Sequence, residues 1–303
     1  MAEARGGTPK NPEMVTPELL RGWPLPVPGG SKYARGLVLA IGGARATPGA
    51  VMLAGRAALR MGAGRLSLAV ADSVCAHVAV AVPECGAYGL AEDSEGSITG
   101  RRAAEVLTKE LSRADAVLIG PGLDDPAGAV ALLTEVIPAL PKKTPVLLDA
   151  FGATVLPDLD AALVDALRGR LVLTPNSSEM GHLLGRPETN EDDTEVAPEM
   201  VVDCAKRFGA VVGCDAYVAE GGRMWRSTTG DVGLGTSGSG DVMAGVVLGL
   251  LGRGADLAQA VVWGKYVHQA AGDALVGDHG RIGFLASEIE TRLPRVLRTL
   301  GGD

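Results

Sequence analysis

The run Gly235-Thr-Ser-Gly-Ser-Gly-Asp241-Val-Met-Ala-Gly245 decides how the rest of the chain is read. Glycines alternate with small hydroxyl residues, and an aspartate then opens a stretch of helical periodicity. Met243, Val246, Val247 and Leu250 fall at i, i+3, i+4 and i+7, which is one buried face of a helix. A glycine-rich turn entering a helix leaves backbone N–H groups unpaired, and with the positive end of the helix dipole they attract phosphate. Asp241 is unusual in such a turn, because a carboxylate repels phosphate unless it serves as a base or holds a metal. The plainer alternative is an N-capping aspartate after a flexible loop.

Outward from this turn the chain alternates strand and helix. Residues 36–41 are a short apolar run bounded by glycines, as expected of a strand buried on both faces. A loop over 42–50, a helix through Leu53, Ala57 and Met61, and a strand over 65–71 follow. The same grammar gives a helix at 100–112, strands at 116–120, 145–149 and 171–174, and helices at 127–139 and 177–184. An acidic surface loop over 187–198 precedes a helix at 198–208. Strand-like pieces at 210–212, 216–219 and 223–226, separated by Gly221-Gly222, predict a hairpin at a sheet edge. Helices at 241–252, 256–275 and 286–300 close the chain. The second of these aligns Leu257, Val261, Gly264, His268, Ala271 and Leu275, so His268 reads as a packed core histidine. Residues 1–15 are polar and Pro/Gly-rich and read as a flexible tail, and Thr16-Pro17 begins a single domain over 16–303. The expected fold is α/β with three layers, helices on both faces of a mostly parallel sheet with an edge hairpin. Ligands of such sheets sit beyond the carboxyl ends of the strands. The loops at 42–50, 120–123, 149–151 and 174–179 would therefore share one rim with the 235–241 turn.

Composition narrows the function classes. Of the 303 residues 47% are hydrophobic but only 3% aromatic, so the core must be built from Ala, Val and Leu. A net charge of −8 argues against nucleic acid, which selects a basic surface. Any anionic ligand must then be held by local donors or a metal. Residues 1–30 show no secretory signal, and the longest apolar stretches are too short to span a bilayer. Cys75, Cys85, Cys204 and Cys214 lack metal-ligand spacing and read as reduced thiols of a cytoplasmic protein.

Several motifs in one order carry a resemblance: Gly42-Gly43 with Pro48-Gly49-Ala50, Ile119-Gly-Pro-Gly122, Leu148-Asp-Ala150, Leu173-Thr-Pro175 with Glu179, Gly238-Ser-Gly-Asp241, and His268 with Ala271-Gly-Asp273. Together with the run 53–64, this order resembles the ADP/ATP-dependent NAD(P)H-hydrate dehydratases of the ribokinase-like superfamily. The resemblance covers most of residues 16–300. It implies a repair reaction in which the hydroxyl of a hydrated nicotinamide ring is phosphorylated by ADP or ATP, after which phosphate is eliminated and NADH or NADPH is restored. In that reading Asp241 accepts the hydroxyl proton, and N–H groups of Gly238, Ser239 and Gly240 stabilise the transferring phosphoryl group. The resemblance places Ala50, Gly122, Asn176 and Asp241 at the substrate, and Gly213, Cys214, Asp215, Ala216, Tyr217 and Gly240 at the nucleotide. It also gives Glu179 a role at Mg²⁺, for which a helix-start carboxylate is the alternative; Asp149 at a strand end is a similar case.

The chain departs from the family pattern in three places. Asn176-Ser-Ser-Glu179 stands where the family has His-Pro-Gly-Glu, so a ring that can carry charge is replaced by an amide. Phe151 stands where the family often has an aspartate. Val212-Gly213-Cys214-Asp215-Ala216 lacks the lysine and threonine of the nucleotide-binding hairpin, which removes a positive charge from the phosphates. Two other readings keep the same motifs: a ribokinase-like kinase of a vitamin precursor or small alcohol, and a nucleotide-binding regulatory subunit without turnover. The resemblance further implies a homo-oligomer and a separate NAD(P)H-hydrate epimerase as functional partner.

Overall fold

The computed structural model describes residues 6–186 and 196–302. Among them ten strands form one sheet: β1 (Glu13–Met14), β2 (Leu37–Ile41), β3 (Arg65–Ala71), β4 (Cys85–Leu90), β5 (Ala116–Ile119), β6 (Val146–Leu148), β7 (Leu171–Leu173), β8 (Ala210–Cys214), β9 (Tyr217–Glu220) and β10 (Arg223–Arg226). Their order is β1-β10-β9-β8-β7-β6-β5-β2-β3-β4. From β4 through β8 every pairing is parallel, and β9 is antiparallel to both β8 and β10. The expected edge hairpin is therefore present, with a further strand outside it.

The helices are α1 (Pro17–Gly22), α2 (Pro48–Arg60), α3 (Asp72–Ala81), α4 (Ala103–Val106), α5 (Thr108–Leu111), α6 (Pro126–Ala139), α7 (Ala150–Thr154), α8 (Ala161–Leu167), α9 (Ser177–Leu184), α10 (Pro198–Phe208), α11 (Ser239–Gly252), α12 (Leu257–His279) and α13 (Ala286–Leu300). One layer, with α2, α11, α12 and α13, covers Val38, Ala40, Leu118 and Val211 on one face of the sheet. The other, with α6, α8, α9 and α10, covers Leu39, Ile41, Val117 and Val212 on the opposite face. Alternate residues of one strand thus enter two separate cores, which is why the strands read as unbroken apolar runs.

Three differences from the sequence reading matter. The helix expected over 100–112 is two short helices, α4 and α5. The pair α3–β4, which extends the sheet beyond β3, was not anticipated. Third, residues 6–15 are not a free tail. Gly7 exchanges backbone hydrogen bonds with Met224 (2.8 and 3.0 Å), β1 pairs parallel with β10, and Val15 N–H donates to Arg226 O at 2.8 Å. This segment covers what would be an open sheet edge. Residues 1–5, and most of the expected acidic loop at 187–198, lie outside the described residues.

Helix α11 lies against α2 at backbone distance. A Cβ on Gly245 would sit 2.1 Å from Ala54 O, and one on Gly249 would sit 2.6 Å from Ala58 O. Gly245→Ala should therefore lower the unfolding free energy by about 1–3 kcal/mol, because main chain cannot yield as a side-chain tip does. Gly277 on α12 has nothing within 4 Å of its Cβ position. There the same substitution should raise stability by about 0.5–1 kcal/mol through helix propensity. Urea unfolding of the two variants beside wild type checks the opposite signs.

Candidate active site

The rim is assembled by main-chain bonds between loops. Gly43 N–H donates to Pro121 O and Ala44 N–H to Gly122 O, each at 2.8 Å, and Thr47 Oγ1 donates to Gly122 O at 2.8 Å. Gly120 has φ +139°, and a Cβ there would lie 1.7 Å from Asp149 O. Only glycine fits this crossing of β5 and β6 ends. Gly122 (φ +71°) has its Cβ position 3.1 Å from Ala50 Cβ, so the two residues expected to form the substrate wall are neighbours. Ala50 lies in the first turn of α2, not in the preceding loop.

Asp241 is in the first turn of α11, whose N-cap, Gly238, is left-handed (φ +89°). The carboxylate folds back toward that turn, with Oδ2 3.8 Å from the Gly238 Cβ position, and it accepts no hydrogen bond among the described residues. The expected donors are not equivalent. Ser239 N–H donates to Thr236 O at 3.1 Å, whereas the N–H groups of Gly238 and Gly240 have no backbone acceptor among the described residues. Ser239 contributes instead through Oγ, which lies 3.2 Å from His268 Nε2. Burial, then the nearby Lys265 charge, pushes the His268 imidazole down to about 4, so it holds Ser239 as a neutral ring. His268 is buried as expected and also braces the head of α11.

Three carboxylates share this end of the sheet. Burial and the charge of Glu179 raise Asp241 to about 6. Asp149, at the end of β6, is raised well above the usual range by burial, then by Glu179 and Asp241, against a 2.8 Å hydrogen bond donated by Thr174 Oγ1. Burial also raises Glu179, opposed by the Asn176 N–H. Asn176 and Glu179 form a capping box at α9: Glu179 N–H donates to Asn176 Oδ1 at 2.8 Å, and Asn176 N–H to Glu179 Oε2 at 3.0 Å. The Asn176 side chain is thus committed to the helix end through its oxygen, and Glu179 keeps one carboxylate oxygen outside the box.

A cleft of about 500 Å³ opens at Glu179, lined also by Leu123, Phe151, Ser178 and His182 among others. Phe151, where an acid was expected, gives this cleft an apolar wall. His182, one turn after Glu179, was missed from sequence, although its i+3 spacing from an implicated residue was the available signal.

The expected nucleotide segment divides. Cys214 and Tyr217 are buried in the core on the α10 side, and Ala216 packs partly against it, so these residues offer a ligand main chain rather than side chains. Burial raises the Cys214 thiol far above its ordinary range, which keeps it protonated. Asp215 occupies the turn at φ +44° and accepts from Val196 N–H at 3.1 Å. Gly213 faces the opposite layer, where its Cβ position lies 2.7 Å from Val261 Cγ1 and 3.7 Å from Lys265 Cδ.

A glycine turn at a helix head, a poised aspartate and strand-end loops on a parallel sheet define an enzyme of the ribokinase-like class. A ribokinase-like superfamily protein of Enterococcus faecalis shares this fold at a TM-score of 0.79 and 22% identity, over 95% of this chain and 96% of that one. The ADP/ATP-dependent NAD(P)H-hydrate dehydratase of Bacillus subtilis, co-crystallised with ATP/Mg²⁺, matches at a TM-score of 0.75 and 26% identity, over 95% and 98% of the two chains. The NAD(P)H-hydrate dehydratase family model matches residues 38–295. An ADP-dependent (S)-NAD(P)H-hydrate dehydratase of Xanthomonas campestris is 42% identical over 94% of this chain and 96% of its own length. A bifunctional NAD(P)H-hydrate repair enzyme of Moorella thermoacetica is 35% identical over 89% of this chain, which spans 51% of that protein. The chain belongs to the NAD(P)H-hydrate dehydratase family.

The raised Asp149 carboxyl has a consequence for stability. Its folded-state pKa exceeds the unfolded value, so ionisation opposes folding above the unfolded pKa, and the penalty vanishes once both states are protonated. Asp149→Asn keeps an acceptor for Thr174 and should raise stability at pH 8. The gain should disappear near pH 3 in paired urea titrations.

Proposed function

We propose that this protein dehydrates hydrated NADH or NADPH back to the reduced dinucleotide, driven by cleavage of ADP or ATP. The observation that carries the reading is Asp241, a carboxylate without a hydrogen bond among the described residues, in the same helix-head turn as the open amides of Gly238 and Gly240. The family relation and the names of the relatives support the substrate and the nucleotide.

Asp241 takes the proton from the hydrate hydroxyl as that oxygen attacks the terminal phosphoryl group. The amides of Gly238 and Gly240 donate to the phosphoryl oxygens, and the positive end of α11 adds to their pull. Ser239, held by His268, keeps the turn in register. The close-packed Gly122–Ala50 wall lets the dinucleotide approach main chain directly. Phosphate then leaves with the C–O bonding pair, a ring proton is lost, and the dihydronicotinamide is restored.

The acid cluster fits a nucleotide-bridged Mg²⁺. Among the described residues no group of three or more His, Cys, Asp or Glu could hold a metal. Mg²⁺ at phosphates needs only one or two protein carboxylates beside its waters. Glu179, with one oxygen outside its capping box, would hold it, with Asp149 close by. When bound, the ion would offset the charge of the phosphates.

The repair function pairs with an activity that epimerises the hydrates, and we assign the chain to a homo-oligomer in the cytoplasm. All four cysteines are free. No described helix is long and apolar enough to cross a membrane.

Purified protein incubated with hydrated NADH, Mg²⁺ and ADP or ATP should restore the absorbance of NADH. Asp241→Asn should lower turnover by about 10²–10⁴-fold while nucleotide affinity stays within about threefold of wild type. Activity unchanged in that variant would remove Asp241 from its role. Since the base must be ionised, the wild-type rate should fall as pH drops through about 6, tending to tenfold per unit below it. A profile flat from pH 5 to 8 would show that another group accepts the proton.

A further inference from the structure

Lys265 stands on the buried face of α12, one turn after Val261 and one turn before His268. It is 8% exposed, and it makes no hydrogen bond or ion pair among the described residues. Its ammonium is not completely enclosed. Its stem passes the bare Cα of Gly213, whose Cβ position is 3.7 Å from Lys265 Cδ. Its charge is felt on two sides of the nucleotide end of the rim. Asp215 and Cys214 at the β8–β9 turn interact with it, and so does His268, the residue bonded to Ser239 at the head of α11.

We propose that Lys265 is the cation that binds the phosphate chain of the nucleotide in this protein, delivered by α12 in place of the lysine missing from the end of β8. The inference rests on the nucleotide-dependent function proposed above and assigns one residue of that site.

Two physical arguments support it. The first is electrostatic. The site carries Asp149, Glu179 and Asp241, and the chain as a whole is net negative, so a di- or triphosphate enters against repulsion. The open amides at one helix head carry only partial charges, a thin complement for such an anion. A buried, unpaired ammonium supplies a full charge at short range, where little solvent screens it.

The second is the cost of the lysine itself. Burial lowers its pKa by more than Cys214 and Asp215 raise it, and no described residue bonds the ammonium, so the free protein bears a penalty that an anion would relieve. A packing role alone would be met by an uncharged chain of the same length. Gly213 completes the arrangement, since a Cβ there would meet Val261 Cγ1 at 2.7 Å and lie 3.7 Å from the lysine stem at Cδ.

The test is calorimetric titration of full-length wild type and Lys265→Met with ADP, ATP and AMP in the presence of MgCl₂. Loss of a charge-assisted contact predicts affinity for ADP and ATP lower by roughly 10- to 100-fold, with AMP changed by less than about threefold. The Met variant should unfold at the same or a higher temperature, since a buried charge is removed. Unchanged ADP affinity would overturn the assignment, as would an equal loss for AMP, which would mean that the residue only shapes the pocket. If the Met variant does not fold, Lys265→Gln is titrated in its place with the same criteria. A wild type that binds ADP in this Lys265-dependent way yet restores no NADH would leave the assignment standing and overturn the dehydratase function. A wild type that binds neither ADP nor ATP would overturn both.

Discussion

The contact between α2 and α11 is the constraint on which the site depends. Helix α11 is buried over nearly its whole length, enclosed by α2, the sheet, α12 and α13. It reaches that depth because glycines at 245 and 249 bring its backbone against the carbonyls of Ala54 and Ala58. Gly252 does the same against Val38, at 2.4 Å from its Cβ position to Cγ1. A helix held this way cannot shift along its axis without collision, since close-packed interiors transmit displacement. Its first turn is therefore fixed relative to the strand ends, and Asp241 inherits that precision although its neighbours are glycines.

The same rigidity confines charges that repel one another. Asp149 and Asp241 come from elements on either side of the rim, with Glu179 at the head of a third, and each is raised by burial. Such an arrangement costs stability in the free protein and persists because the surrounding layers hold it. In the role proposed for Asp241 the cost would have a use: a carboxylate near 6 remains ionised at neutral pH and is a stronger base than an exposed one. Around it, hydrogen bonds fix the parts that must not move, namely Thr174 on Asp149, Asn176 on Glu179 and His268 on Ser239. Asp241 itself is left unbonded among the described residues.

At the opposite edge, β10 would present unpaired main chain were it not for β1 and the bridge at Gly7. The extended segment that follows α1 is fastened by side chains of the α11–α12 end. Gln259 and Trp263 donate to Trp23 O at 3.2 and 2.8 Å, and Arg253 donates to Pro26 O at 3.2 Å. Its prolines forbid regular pairing, so these donors satisfy carbonyls that would otherwise be buried unpaired.

Much of the architecture was legible in the residues alone. Central strands such as 37–41 and 116–119 face two cores and so carry continuous apolar runs, and the glycine–aspartate turn at the head of α11 marked itself by composition. Weaker signals escaped. β4 reads Cys-Gly-Ala-Tyr-Gly-Leu, with glycines and one-sided burial, and β1 is two residues whose pairing depends wholly on β10. Composition marked the turn at Asp241 and the loops near Ala50 and Gly122, and only the family resemblance assigned those last two to the substrate. Local pattern did not show that Cys214 and Tyr217 face the core, since a period of two leaves the choice of face to the neighbouring layer. Nor did it place Lys265 beside Gly213, more than fifty residues away in the chain, a juxtaposition made by the docking of α12 on β8. The sequence by itself determined the central strands, the long helices and the place of a glycine-rich helix head, because those follow from short-range periodicity and backbone sterics. Which charges meet there was decided only by tertiary structure, because burial and proximity belong to the packed layers and not to any one segment.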